Sequence, residues 1–306
     1  MKSKVTLRRK KSMVKRRTRK FNKRTLRKKI GFFSRHRYPQ SNEFTRDKIK
    51  THRPDAAQLT CSELLDKIIE ALEEKKPLSV VSVGQTESFI MSQYTLYSHR
   101  EILRDPETLK ANEGVTTGLQ HRGIRLPNKL ARVEAVEAVR QADIVGYNTI
   151  IPSGALAEKV FEVHNIKPKY VFEAFLRRVM MYSQKEKFES MLGGRKILLI
   201  SSIADQVKDS MDKNLKPKLG FDVVGSISIN SFEEIPMVKE KVADYDFDLC
   251  LIAAGINAVI LAPFIAQTYQ KVAIDMGGGL SSLATGEMLA CKWMTKRIGL
   301  DKLMGM

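Results

Sequence analysis

The stretch that most constrains this chain is 78–93, LSVVSVGQTESFIMSQ. An apolar, β-branched run over 78–83 stops at Gly84. A polar triplet follows (Gln85, Thr86, Glu87), and then helix-like spacing begins. Strand, glycine turn and helix in succession are the unit of an open α/β sheet, which presents its chemistry at the carboxyl ends of its strands. Glu87 is therefore expected at that edge, in the first turn of a helix. A carboxylate there can meet a metal, a hydroxyl or a sugar.

The same alternation continues along the chain. Ser62 is expected to cap a helix whose Leu64, Leu65, Ile68, Ile69 and Leu72 recur at helical spacing. After the 78–83 strand, a helix is predicted to about Tyr97, an irregular polar stretch over 100–128, a helix over 129–141 and a strand over 142–147. Helices are predicted over 154–163 and 169–183. Strands over 196–200, 221–229, 247–254 and 271–275 then alternate with helices over 201–213, 235–243 and 257–269. Gly277-Gly278-Gly279 reads as a turn, and helical segments close the chain around Trp293. Uniformly apolar strands alternating with helices imply a mostly parallel sheet with helices on both faces, a Rossmann-like α/β fold.

Charge divides the chain in two. Residues 1–54 carry 22 Lys/Arg against 2 Asp/Glu, and residues 55–306 carry 31 against 32. A basic arm over 1–54, too poor in apolar residues to fold alone and expected to be disordered, therefore precedes a nearly neutral α/β domain over 55–306. The arm suits an electrostatic grip on a polyanion, either anionic lipid or nucleic acid. Phe32 and Phe33 beside Lys29 fit a membrane surface or base stacking equally well. A merely solvated tail is the alternative.

Three separated cysteines (Cys61, Cys250, Cys291) form no CxxC pair, so neither a disulfide framework nor a zinc site is expected. Cys250 reads as a core residue. No apolar h-region follows the basic start, and the longest apolar stretch, 249–266, is broken by Gly255, Asn257 and Pro263. A cytoplasmic protein without a transmembrane segment is expected, peripheral to an anionic membrane surface if the arm binds lipid.

Two blocks together resemble the GT-D type of glycosyltransferase, formerly a domain of unknown function. Val80-Val81-Ser82-Val83-Gly84-Gln85-Thr86-Glu87 is similar to that family's strand ending in Gly-Asp-x-Glu. Asp248-Leu249-Cys250-Leu251-Ile252-Ala253-Ala254-Gly255-Ile256-Asn257-Ala258, with Val272-Ala273-Ile274-Asp275-Met276-Gly277, is similar to its closing strand, glycine turn, helix and strand. The resemblance covers about 60–290 and implies transfer of a sugar from a nucleotide sugar, typically a UDP-sugar, to an acceptor hydroxyl. The family's Asp-x-Glu is associated with a divalent metal, Mn²⁺ or Mg²⁺, and with catalysis. Here Glu87 keeps the second acid while Gln85 replaces the first, and an amide is a weaker ligand than a carboxylate. The departure puts metal dependence in question.

Glycosyl transfer needs the charge of the leaving nucleotide diphosphate neutralised, by a metal, by Arg/Lys or by a helix N-terminus. A direct displacement also needs a base beside the acceptor hydroxyl. Glu87 is the candidate base or metal ligand; the alternative is an acid that favours a helix start. Gly84 and Gln85 form the turn, with the Gln85 amide available to a ribose, a sugar or a phosphate. Gly255 and Asn257 lie between strand and helix, suited to phosphate contact or to a tight turn with Asn257 as N-cap. Ser201 and Ser202 follow a strand, for diphosphate contact or capping. Asp275 ends the last strand, where an acid binds ribose or sugar hydroxyls. Arg122 and Arg125 in the polar stretch offer guanidinium forks to a diphosphate.

Two other functions stand beside this one. A nucleotide- or sugar-binding Rossmann-like domain without catalysis, tethered by its arm to a polyanion, is suggested by Gln85. A dinucleotide oxidoreductase is disfavoured: no GxGxxG follows the first strand, and Glu87 would repel a pyrophosphate there. Removing residues 1–54 should leave the folding of 55–306 intact. Any binding of the full chain to anionic vesicles or RNA should weaken steeply between about 50 and 200 mM salt, measured by co-sedimentation.

Overall fold

The computed structural model describes residues 54–113, 123–151, 154–288 and 298–306. The basic arm (but for Pro54), Arg122, Cys291 and the segment around Trp293 lie outside the described residues.

Eight strands form one sheet: β1 (Ala57–Leu59), β2 (Leu78–Val83), β3 (Ile144–Tyr147), β4 (Tyr170–Glu173), β5 (Lys196–Ser201), β6 (Asp222–Ile227), β7 (Leu249–Ala253) and β8 (Val272–Asp275). Their order is β1-β4-β3-β2-β8-β7-β5-β6, and every pairing is parallel. All carboxyl ends therefore meet at one edge.

Alternate side chains of each strand enter two separate cores. Val81, Val83, Val145, Leu198, Ile200, Cys250 and Ile252 face one core. It is roofed by helices α1 (Gln85–Ser92), α2 (Lys129–Gln141), α3 (Gly154–Val163), α4 (Ile235–Val242) and α5 (Ile256–Tyr269). Val80, Ile144, Phe172, Ile197, Leu199, Leu249, Leu251 and Ile274 face the other, covered by helices over Cys61–Glu73, Lys185–Leu192 and Ala204–Asn214. Both faces of the sheet are thus buried, the condition under which parallel strands read as unbroken apolar runs. The α5 helix, buried around most of its circumference, is apolar along most of its length for the same reason.

At the amino edge two acids sit in equivalent places. Asp143 accepts from the Ser79 N–H at 2.8 Å and the Ser79 hydroxyl at 2.7 Å, opposite it in the sheet. Asp248 accepts from the Lys196 N–H at 2.9 Å.

Several expectations need correction. The segment predicted as a helix over 169–183 holds β4, a 3₁₀ turn (Ala174–Arg178) and a short helix (Met180–Ser183). Its apolar spacing mimics a helix, but pairing of three residues with β1 and four with β3 makes a strand. The polar stretch over 100–128 contains two short helices, His99–Arg104 and Pro106–Glu113. The first is nucleated by a capping box between Ser98 and Glu101. The cap expected at Ser62 is Thr60, whose hydroxyl takes the Glu63 N–H while Glu63 returns to the Thr60 N–H. The helix expected to run to Tyr97 ends at Ser92.

Gly146 lies opposite Phe172 in the sheet, and the ring occupies the space of a side chain: an added Cβ would come within 2.4 Å of it. Gly146→Ala should therefore cost about 1–3 kcal/mol of stability by overpacking. Adding Phe172→Leu should recover part of that loss, read as the urea midpoint of single and double variants.

Candidate functional site

The carboxyl ends of β2 to β8 surround a cleft of about 1150 Å³. Pockets for drug-sized ligands run roughly 300–1000 Å³, so the cleft is large enough for a ligand of that size or somewhat larger. Of the residues singled out in the sequence, Gly84, Gln85, Glu87, Ser201, Ser202, Gly255, Asn257 and Asp275 all line it. Segments far apart in sequence converge here because parallel strands end on the same side. Arg125 is exposed and is not among the lining residues. Arg122 falls outside the described residues.

Glu87 stands at the third position of α1, and its carboxylate accepts from the Gly84 N–H at 3.1 Å. A Cβ on Gly84 would lie 2.7 Å from that oxygen, so the glycine makes room for the carboxylate. Beside it, Thr86 donates to Glu107 at 3.0 Å, and Glu107 also takes Lys110 at 3.1 Å; both Glu107 and Lys110 line the cleft.

Asp275 ends β8, only 3% exposed. Its carboxylate accepts from Arg177 Nη1 at 2.5 Å and from the Gly277 N–H at 2.9 Å, with a further backbone bond from Ser82. Burial pushes its pKa up, and the Arg177 charge pulls it back only in part. The acid expected to bind ribose is thus tied to an arginine.

Gly255 is the N-cap of α5, with φ of 58° and ψ of −132°, a conformation essentially reserved for glycine. The cap predicted at Asn257 is corrected accordingly: Asn257 lies inside the helix, 1% exposed, and its amide donates to the Gly123 carbonyl at 3.1 Å. Its Oδ1 and the Ser82 hydroxyl are buried cleft atoms without a hydrogen-bond partner among the described residues. Ser201 accepts from the Ile203 N–H at 3.3 Å, a turn contact, whereas Ser202 is exposed on the cleft.

The sequence reading missed Arg177 and Arg178. They follow β4 on the 3₁₀ turn and line the cleft. The signal was present as an Arg-Arg doublet, but a helix across 169–183 gives it no edge to stand on. Glu173 fixes that turn: fully buried, it accepts from the Thr149 N–H and hydroxyl at 2.7 and 2.8 Å, from the Ile150 N–H at 3.1 Å and from the Phe175 N–H at 3.2 Å. Burial nonetheless raises its pKa, outweighing these bonds.

Among the described residues no three His, Cys, Asp or Glu side chains gather as a metal site. At the strand end that the family resemblance associates with a metal, the donors are the Glu87 carboxylate and the Gln85 amide. Asp275 is engaged with Arg177, and Glu107 with Thr86 and Lys110. One carboxylate and one amide are a sparse donor set, and a Mg²⁺ held there would take its remaining oxygens from water and from a ligand's phosphates.

With this sheet and cleft, the chain belongs to the family of GT-D fold-like domains, whose model matches residues 59–283. Among solved structures it is similar to one described as a new glycosyltransferase, with domain of unknown function 1792, from Streptococcus sanguinis. The two are 14% identical, with a TM-score of 0.50 over 78% of this chain and 88% of that one. A second structure is described as the highly conserved domain of unknown function 1792 with a distinct glycosyltransferase fold. It is 15% identical, with a TM-score of 0.49 over 78% of this chain and 84% of that one. At such identities the likeness is one of fold. Among curated proteins no match to the chain is found.

Glu173→Ala removes the acceptor of three part-buried backbone donors and should cost about 3 kcal/mol; Glu173→Gln, which keeps an acceptor, should cost less. Because the folded pKa of Glu173 is raised, its ionisation opposes folding. Stability measured relative to Glu173→Gln should be greatest below pH about 4 and should fall as pH rises through the raised value. Urea denaturation across pH reads both.

Proposed function

We propose that the protein is a glycosyltransferase that moves a sugar from a nucleotide sugar, a UDP-sugar by family resemblance, to an acceptor hydroxyl. The observation that supports this best is the convergence, in a GT-D fold, of Glu87, two arginines and buried polar atoms that find no partner among the described residues on one cleft. In a direct displacement the acceptor oxygen bonds to the anomeric carbon while the bond from that carbon to the diphosphate oxygen breaks. Glu87 takes the acceptor proton, and the nucleoside diphosphate leaves with the bonding electron pair. Asn257 Oδ1 and the Ser82 hydroxyl offer hydrogen bonds to sugar or ribose hydroxyls.

A second reading has its own observation. The Glu87 carboxylate is already used to cap its helix through the Gly84 N–H, as a purely structural acid would be. In that case the domain binds a nucleotide sugar without turning it over, held near a polyanion by its arm. Under either reading, we place the protein in the cytoplasm, with the arm bringing it to anionic lipid or nucleic acid.

Nucleotide release by the full chain, followed across UDP-, GDP-, CDP-, dTDP- and ADP-sugars with Mn²⁺, Mg²⁺ or EDTA, should reveal turnover with one donor. In Glu87→Gln that turnover should drop about a hundredfold or more, the usual scale for a general base, with the melting temperature little changed. A thermal shift with a donor but no turnover in the wild type would favour the binding-only reading.

A further inference from the structure

Resting on the donor reading above, we propose that Asn257 and Ser82 determine which nucleotide sugar the cleft accepts. Asn257 takes a hydrogen bond from an uncharged O–H or N–H group of that ligand, and Ser82 pairs with a hydroxyl elsewhere on it. The corner of the cleft at the start of α5 holds no part of the diphosphate.

The first support is that each residue is an exception in its own element. In β2 only Ser79 and Ser82 are polar, and both are buried. The Ser79 hydroxyl is met by Asp143 at 2.7 Å, whereas the Ser82 hydroxyl meets no partner among the described residues. Its partner position in β3 is Gly146, where the Phe172 ring fills the place of a side chain, so no polar side chain reaches it from there. In α5, Asn257 is the one polar side chain between Ile256 and Ala266, and it is buried as well. A buried hydrogen-bonding group left unmet lowers the stability of a fold. Two such groups on the wall of one cleft are what a site shows when its ligand supplies the missing partners.

The second support is the chemistry of the atoms presented. The Asn257 amide is oriented by its own hydrogen bond: Nδ2 donates to the Gly123 carbonyl at 3.1 Å, which leaves Oδ1 as the unmet end. An amide oxygen only accepts. A phosphate oxygen brought to it would set acceptor against acceptor. The phosphate contact expected at Asn257 therefore gives way to contact with a hydroxyl or an N–H. The Ser82 hydroxyl both donates and accepts, as a sugar hydroxyl does.

The third support is placement. Along β2, Ser82 alternates with Val81 and Val83, which face the core under α5, and shares the face of Val80, which lies in the other core. Asn257 comes from α5 itself. The two groups thus approach the cleft from opposite sides of the sheet, and a ligand that meets both lies across the sheet's edge. A nucleotide sugar, with a hydroxyl-bearing unit at either end of its diphosphate, has that form. A site built to hydrogen-bond a hydroxyl rejects analogues that lack it, which is how such contacts select a substrate.

The test is calorimetric titration of the full chain, in Mn²⁺ and in EDTA, with the nucleotide sugar of the panel that binds wild type most tightly and with its nucleoside diphosphate. The variants are Ser82→Ala, Asn257→Leu and Asn257→Asp, each also melted without ligand. Ser82→Ala should melt at or above the wild-type temperature, because it removes an unmet hydroxyl, and should bind the nucleotide sugar about tenfold or more weakly. Asn257→Leu and Asn257→Asp both give up the bond to Gly123, so the difference between them isolates the acceptor. Asn257→Leu should bind about tenfold or more weakly, and Asn257→Asp should recover part of that loss. A loss shared by the nucleoside diphosphate assigns the contact to the nucleoside, and one confined to the nucleotide sugar assigns it to the sugar. Wild-type affinity in Ser82→Ala, or a lowered melting temperature there, overturns the role of Ser82. Weaker binding by Asn257→Asp than by Asn257→Leu places phosphate at that corner and overturns the role of Asn257. Both outcomes leave the donor reading standing. If no nucleotide sugar or nucleoside diphosphate of the panel binds wild type in either condition, the donor reading fails and these contacts with it.

Discussion

The buried carboxylate of Asp275 is the interaction on which the cleft depends. It receives backbone N–H groups from Ser82 in β2 and Gly277 beyond β8, and the guanidinium of Arg177 from the end of β4. Taking a carboxylate out of water costs several kcal/mol unless its partners are well placed. Here the partners come from three separate segments, so the requirement to satisfy one charge fixes the relative positions of all three. The glycine run follows from that arrangement, because side chains at 277–279 would intrude on the arginine segment that Asp275 draws in.

The chemistry is distributed across the cleft accordingly. Glu87 stands on the helix after β2, the arginines come from beyond β4, and Asn257 lies in the helix after β7. Each is carried by a rigid element or by a turn with satisfied backbone bonds, which suits the alignment that the proposed transfer would need. Glu87 is held by the same N–H that it caps, so a single hydrogen bond both starts the helix and aims the carboxylate.

Much of this was legible in the sequence wherever local and global preferences agreed. The strand over 78–83, its glycine and the acid behind it could be placed because a doubly buried strand is a solid apolar run and Gly84 breaks it. The same held for β5 and β7. Over 169–183 tertiary pairing overrides the helical spacing. Tyr170–Glu173 is too short to announce itself as a strand, and Ala174–Arg178 extends its apolar pattern at near-helical intervals. With β4 hidden, Arg177 and Arg178 had no place at the edge, and the reason for three successive glycines was invisible. Capping was misjudged by two residues for a similar reason: Thr60 and Ser62 are both suitable caps, and only Glu63 at the third position after Thr60 decides between them.

A sheet buried on both faces leaves one question that hydrophobicity cannot answer. In a half-exposed sheet, a strand that slips by one residue turns its apolar face to water and is penalised at once. Here the side chains on both faces of β2 and β5 are mostly apolar, so a slipped strand would still bury mostly oil against oil. What tells the correct alignment from the slipped one is the pair of acids at the amino edge. Asp143 grips the first buried serine of β2, and Asp248 grips the backbone at the start of β5. These two carboxylates, at the edge opposite the cleft, favour one register of β2 against β3 and of β5 against β7, and that register carries through to the strands' carboxyl ends.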